Sequence, residues 1–559
     1  MDRFDWALLT RWWSLTKPYW FSEKRRQGLL LLSILIVLTA LSIGIDAQLS
    51  FIRRDLYNAM TARDYLAFRK NVLLVLAVFL FFIPIQAFYP WVSGRLRILW
   101  REWMTHRLVK LEFTNRAYYR IGQSGAVDNP DQRISEDINF FVSGALSYVD
   151  SFGTSIVNGL VFLVILWTIS PLLAVVCIAY CAAGSWISVI VGRPLIGVNF
   201  DQQRYEADFR FALVRVRDNA ESIAMYSGEE PEMSHLFGRF GALFNNFNRL
   251  IFGQRRLAYV TETYDNAVSL LPYLALAGPY FAHRMEFGQF IQAAGAFGTV
   301  KSSFSVIVSS VEGLTNYASV VNRLATFQSS CEAAAAPVPE GERIETREVE
   351  RLAVKLMTLS TPDSRQILVS DLSFEVPEGR GMLVRGPSGS GKTSILRAIA
   401  GLWDTDRGRI DRPNLTETLF LPQKPYLILG TLRDQLCYPR AGQVDDKGLT
   451  KALAEVNLAD LPERHGGFDL ELDWASILSP GEQQRLAFAR LLINRPRYAF
   501  LDEATAALDR DNQERLYRLL RATGVTFISV SHDPDLVRYH DEILELSGDT
   551  SWKISAAES

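Results

Sequence analysis

Gly386-Pro387-Ser388-Gly389-Ser390-Gly391-Lys392-Thr393 reads G-x-x-x-x-G-K-T, the spacing of a phosphate-binding loop. Its glycines reach backbone angles closed to other residues, so successive N–H groups can converge on phosphate oxygens at a helix N-terminus. Lys392 is placed to neutralise β- and γ-phosphates, and the Thr393 hydroxyl to hold the magnesium ion that bridges them. Upstream, Gly381-Met382-Leu383-Val384-Arg385 predicts the feeding strand. Downstream, Ser394 through Ala400 predicts a helix whose apolar positions pack on a sheet.

A strand buried on both faces is continuously apolar, and its C-terminal edge is where such sheets hold ligands. Tyr498-Ala499-Phe500-Leu501-Asp502-Glu503 has that character and ends in two carboxylates. Asp502 suits magnesium, and Glu503 suits polarising an attacking water. Thr526-Phe527-Ile528-Ser529-Val530-Ser531-His532 is a second such run, ending in a histidine able to reach a γ-phosphate. Phosphoryl transfer asks a protein mainly for positioning and charge neutralisation, and these groups supply both.

The N-terminal half has a different chemistry. Crossing the hydrocarbon core takes about 20 apolar residues. Six stretches qualify, near 28–50, 71–93, 150–170, 172–192, 264–283 and 287–312, the last two weakened by glycine and polar residues. Ser170-Pro171 marks a tight turn between the third and fourth. The charged, helically patterned stretches 94–148 and 193–263 predict helices that run well beyond the bilayer. Trp6, Trp12, Trp13, Tyr19 and Trp20, with Lys17, Lys24, Arg25 and Arg26, predict an interfacial helix rather than a cleavable signal. Ser329 to Gly341 has linker composition. The chain thus divides into an N-terminal helix at 1–27, a membrane domain at 28–328, a linker at 329–349 and a nucleotide-binding domain at 350–559. The fold class is an α-helical six-span membrane domain fused to an α/β P-loop domain.

The formal charge of −2 argues against a polyanionic partner, so no nucleic acid is expected. Cys177, Cys181, Cys331 and Cys437 show neither metal-ligand nor disulfide spacing, and Cys177 and Cys181 share one face of an apolar helix, where packing is the default. An even number of spans puts both termini on the side of the ATPase, the cytoplasm. Arg53, Arg54, Arg63, Arg69 and Lys70 then fall in the first external loop, against the positive-inside rule. Phe374, in the alternating Leu372-Ser373-Phe374-Glu375-Val376, reads as core.

Leu478-Ser479-Pro480-Gly481-Glu482-Gln483-Gln484-Arg485 resembles the signature segment of ABC-transporter ATPases, and the order of the motifs matches that family. The resemblance implies ATP and Mg2+ as ligands. It assigns Gln423, in Leu421-Pro422-Gln423, to magnesium and to contact with the membrane domain, Asp509 to a dimer interface and His532 to the switch position. Gly386 to Ser394 would hold the nucleotide, Ser479 and the Gly481 amide would donate to a γ-phosphate bound on another subunit, and Glu482 belongs to the same nucleotide-binding set. A homodimer of half-transporters is the simplest arrangement. Two departures stand out: Pro480 and Glu482 replace the usual Gly and Gln of Leu-Ser-Gly-Gly-Gln, and no aromatic residue lies between Leu352 and Leu372 to stack on adenine.

Trp100-Arg101-Glu102-Trp103-Met104-Thr105, Ala117-Tyr118-Tyr119-Arg120 and Asp128-Asn129-Pro130-Asp131-Gln132-Arg133-Ile134 are similar to the BacA/SbmA peptide transporters and equally resemble the peroxisomal acyl-CoA half-transporters. Glu221-Ser222-Ile223-Ala224 and Ala293-Ala294-Gly295-Ala296-Phe297-Gly298 extend the likeness, which includes BclA-type proteins with a fused ATPase. It implies an exporter-type fold whose short loop helices, around 118–133 and 219–230, press on the ATPase. It further implies residence in a bacterial inner membrane and import of antimicrobial peptides, bleomycin-like glycopeptides or cobalamin. The alternatives are a lipid or acyl-CoA translocator and a membrane-anchored sensing ATPase. Asp46, Gln48, Glu262, Asp265, Asn266 and Lys301, polar groups near membrane depth, are candidates to line an aqueous cavity.

Overall fold

The computed structural model describes residues 6–125, 127–336, 344–361, 366–403, 406–440, 444–557. The chain forms two compact units, divided between Ala336 and Pro337.

The first unit is built of long helices. Arg25–Thr61, Tyr65–Phe113, Ile138–Ile169, Pro171–Asp218, Glu229–Phe281 and Phe287–Ser309 are followed by Val311–Ala335. Their ends follow local chemistry: the Asp64 carboxylate accepts from the Ala67 N–H, and the Ser170 hydroxyl accepts from Leu173 with Pro171 in the first helical position. At 53 residues, Glu229–Phe281 is about 80 Å long, well over the ~30 Å of a hydrocarbon core. The helices therefore outrun a bilayer, as the charged stretches predicted.

Among the described residues, Arg25–Thr61, Tyr65–Ser124, Pro130–Ile169 and Pro171–Asp218 are long and apolar enough to cross a membrane. The fifth and sixth expected spans fall in Glu229–Phe281 and Phe287–Ser309, where charged and polar residues lower the hydropathy. A count of six is consistent with these helices. Cys177 and Cys181 are buried and unbridged among Phe162, Leu166, Ala293 and Phe297.

Two boundaries move. Residues 329–335, read as linker, complete the Val311–Ala335 helix, and Glu345–Glu348 is already a strand; 337–343 lies outside the described residues. The N-terminal helix, Trp6–Trp20, exposes Trp6 and Trp13 but is also part of the core. Tyr19 is fully buried and stacks on Trp100 at 5.3 Å between ring centroids. Trp12 Nε1 donates to the Tyr317 hydroxyl at 3.0 Å, which donates to the Phe141 carbonyl at 3.1 Å. Lys24 meets Glu102 at 2.7 Å.

Short helices interrupt the long ones at Ala117–Ser124, Pro130–Gln132 and Ala220–Tyr226. A single π turn at Arg133–Asp137 places the buried Asp137 carboxylate between Arg133 at 3.1 Å and a two-pronged contact from Arg323 at 2.6 and 2.9 Å. Asp137 is buried but Arg323 is 40% exposed, so solvent weakens the pair below the value of a fully buried one, and the two-pronged contact ties the first loop to the Val311–Ala335 helix.

The second unit holds two principal sheets. One has four strands, in the order Glu345–Glu348, Arg407–Arg412, Leu352–Ser360, Ile367–Val376. The other runs Trp552–Ala556, Glu542–Leu546, Gly381–Arg385, Thr526–Val530, Tyr498–Asp502, Thr418–Leu421 and is parallel apart from its first, edge strand. The three runs read as strands from sequence are thus adjacent, and their C-terminal ends share one edge. Phe374 is buried in the core, as its alternation indicated.

His540 carries a pH-dependent part of this core. It is buried beside Phe527 and Tyr517, its Nδ1 lies 2.7 Å from the Leu536 carbonyl, and its Nε2 has no partner. Burial pushes its pKa down to about 4. Because the folded pKa lies below the unfolded value, the folded state binds the proton less well. Its stabilisation is complete above about pH 6.5 and falls by up to roughly 3 kcal/mol as pH drops toward 4. Urea unfolding of wild type and His540→Gln across that window is expected to show a shallower pH dependence in the variant.

Candidate nucleotide site

The phosphate loop is built on backbone that only glycine tolerates well. Gly386, Gly389 and Gly391 have φ of 151°, 81° and 94°. A Cβ on Gly386 would meet the Leu546 carbonyl oxygen at 2.6 Å. Gly391 caps the helix Lys392–Ile399, whose first turn contains Thr393 and Ser394. Lys392 is buried and its ammonium donates to the carbonyls of Gly386 and Pro387 at 2.9 and 2.8 Å. Burial lowers its pKa, against the opposing pull of Glu503 and Asp502. The Ser390 hydroxyl is buried with no partner, as suits a loop that closes on a phosphate. A cavity of about 500 Å³ opens beside the loop, with Arg385, Gly386, Pro387, Ser531 and His532 in its wall.

The carboxylates come from the neighbouring strand end. Thr393 Oγ1 donates to Asp502 Oδ1 at 2.9 Å. Burial raises the Asp502 pKa, which a nearby cation would reverse. A hydroxyl and a carboxylate oxygen are hard donors suited to magnesium, which usually completes its shell with water and substrate phosphates. Among the described residues no cluster of three or more His, Cys, Asp or Glu could hold a metal unaided. Glu503 has a left-handed φ of 48°, fixed by its N–H on the Val530 carbonyl at 3.0 Å. Gln423 Nε2 donates to Glu503 Oε2 at 3.0 Å, and His532 Nε2 lies 3.4 Å from Glu503 Oε1. The structure therefore gathers Lys392, Thr393, Gln423, Asp502, Glu503 and His532 around one loop.

Ser479, Gly481, Glu482 and Asp509 form a second group. The unusual Pro480 and Glu482 acquire a local reason: Pro480 takes the first position of the helix Pro480–Asn494, and Glu482 completes a capping box with Ser479. The Ser479 N–H and hydroxyl both donate to Glu482 Oε2 at 2.9 Å. Gly481 is a close approach, since a Cβ there would lie 3.1 Å from the Ala507 carbonyl oxygen. Asp509 caps Arg510–Ala522, and bonds from the Asn512 backbone and side chain, at 2.8 and 2.7 Å, hold its pKa down.

One residue that sequence reading passed over joins the two groups. Gln484 Nε2 donates to the Gln423 carbonyl at 3.1 Å, and its Oε1 accepts from the Ala507 N–H at 2.9 Å. It fastens the Gln423 loop to the segment leading to Asp509.

Residues 15–281 match the family described as ABC transporter transmembrane region 2, and residues 369–506 match that described as ABC transporter. An uncharacterized ABC transporter ATP-binding protein of Synechocystis is 43% identical over 540 residues, 94% of this chain and 81% of the relative. The Escherichia coli inner membrane ABC transporter ATP-binding protein YddA is 30% identical over 97% of this chain and 98% of its own length. The human lysosomal cobalamin transporter ABCD4 is also 30% identical, over 99% and 97%. A bacterial Atm1-family ABC exporter with ATP bound shares the fold, with a TM-score of 0.74 at 18% identity over 96% of each chain. With both domains matched and whole-length relatives, the chain belongs to the ABC transporters, as an ATP-hydrolysing half-transporter of the exporter-type fold related to the ABCD group.

Proposed function

We propose that this chain works as a homodimer in a bacterial inner membrane, its ATPase and both termini cytoplasmic, importing bulky hydrophilic solutes. The cargo class is that of cobalamin, bleomycin-like glycopeptides and antimicrobial peptides. Two relatives support the reading by name, one an inner membrane protein and one a cobalamin transporter. The observation that carries it is the pairing of a complete hydrolytic constellation with charged groups at membrane depth. Lys301 of Phe287–Ser309 forms an ion pair with Asp265 of Glu229–Phe281, and such groups usually face water or each other.

In this reading the loop glycines and Lys392 clasp the phosphates of ATP, while Thr393, Asp502 and Gln423 would hold magnesium, which would supply charge neutralisation at the transferring phosphoryl group. Glu503 takes the proton of the attacking water, held in place by Gln423 and faced by His532. Ser479 and Gly481 of the second subunit complete the site, with Asp509 at the interface.

The test is uptake of labelled cobalamin and labelled bleomycin by transporter-deficient bacteria expressing the intact chain or Lys392→Ala. Uptake that depends on Lys392 is expected for at least one of them. Equal uptake by both forms would contradict ATP-driven import. Stimulation of ATPase activity by acyl-CoA alone would replace the hydrophilic cargo with a lipid one.

A further inference from the structure

The signature turn carries a carboxylate at the place where, on the composite-site reading above, the polyphosphate of a second subunit must approach. Glu482 is partly buried, its side chain 17% exposed, so water screens its charge poorly. Its two oxygens are divided between two tasks. Oε2 accepts the N–H and hydroxyl of Ser479, and Oε1 accepts Arg464 Nη2 at 2.7 Å. Arg464 ends the short helix Leu461–Arg464 and turns its Nε to Asp460 at 2.8 Å. Asp460, with a side chain 64% exposed, is better screened by solvent than Glu482. Burial works to raise the Glu482 pKa, but Arg464 and the bonds from Ser479 outweigh it and keep the carboxyl ionised.

We propose that Arg464 is a positioning residue of the composite ATP site: it cancels the charge of Glu482, so that a carboxylate can cap the signature helix without repelling the incoming phosphates. Ser479 is held by Glu482 in the resting chain. When ATP arrives from the partner, the hydroxyl turns its proton from Glu482 to the γ-phosphate, and Arg464 keeps the released carboxylate paired. The idea rests on the composite-site reading and adds to it a residue outside the signature motif. Without Arg464, the same capping box would place an uncompensated negative charge against a polyanion.

The experiment compares wild type, Arg464→Lys, Arg464→Met, Glu482→Gln and the double variant Arg464→Met/Glu482→Gln as full chains in lipid nanodiscs. Arg464→Met is expected to raise KM for ATP about tenfold with kcat little changed, and Arg464→Lys to raise it less. Glu482→Gln removes the need for compensation, so the double variant is expected to return within about twofold of wild-type KM. A double variant as impaired as Arg464→Met, or an unchanged KM in Arg464→Met, would overturn the proposal, because a packing role is not rescued by neutralising Glu482. ATP-dependent pairing of ATPase domains is measured in parallel in a Glu503→Gln background. Absence of pairing would overturn the composite site itself; pairing without rescue would overturn the role of Arg464 alone.

Discussion

Glu503→Gln is expected to bind ATP with near wild-type affinity and to hydrolyse it about 10²–10³-fold more slowly, the usual contribution of a positioned general base. The substitution keeps size and shape but removes the group able to take a proton from water. The left-handed backbone at Glu503 and its N–H bond to Val530 are independent of the side chain, so the strand end is preserved. Gln423 donates to Glu503 Oε2, and a glutamine carbonyl oxygen can accept that same bond. Release of inorganic phosphate and retention of labelled ATP on the purified protein measure the two halves of the prediction. Normal turnover would remove Glu503 from the role of base.

Lys392→Ala is expected to weaken ATP binding about a hundredfold, corresponding to roughly 3 kcal/mol, the upper range for a hydrogen bond to a charged group. Lys392 is buried and holds two loop carbonyls, so its loss costs both the charge on the phosphates and the shape of the loop that presents them. Titration with a fluorescent ATP analogue reports the affinity, and an unchanged Kd would contradict the assignment. The two variants separate binding from chemistry: Lys392→Ala fails at the first step and Glu503→Gln at the second.

The nucleotide half was legible because its signals are local. Tyr498–Asp502 and Thr526–Val530 are buried on both faces, and continuous apolar runs are the direct consequence. The glycines of the loop are required by backbone angles that few other residues reach. Long-range chemistry was not legible. Gln484 bonds to residues 61 and 23 positions away, and nothing in its own neighbourhood announces either partner. Pro480 and Glu482 looked like departures from a motif, although serine followed three residues later by glutamate is itself a helix-start signal.

The membrane half misled sequence reading in two instructive ways. Glu332-Ala333-Ala334-Ala335, before the prolines, looked like linker, but alanine is the best helix former and the helix runs to Ala335. Trp12, Tyr19 and Trp20, with Trp6 and Trp13, read as an interfacial helix, yet aromatic rings serve equally well inside a core, and Tyr19 is sealed against Trp100. The weak hydropathy of the last two spans, expected from their glycine and polar residues, involves the same polar groups that the transport reading uses, Asp265 and Lys301.

The central claim, that each ATP lies between the phosphate loop of one chain and the signature of another, is open to a direct chemical measurement. Ser388 and Ser479 are both exposed, and the four native cysteines are buried, which keeps background reaction low. Chains carrying Ser388→Cys and Glu503→Gln are mixed with chains carrying Ser479→Cys and Glu503→Gln, co-reconstituted, and treated with copper phenanthroline as oxidant. A disulfide-linked dimer that forms with ATP and not without it is the result this account predicts. Equal cross-linking with and without ATP, or none in either case, would contradict it.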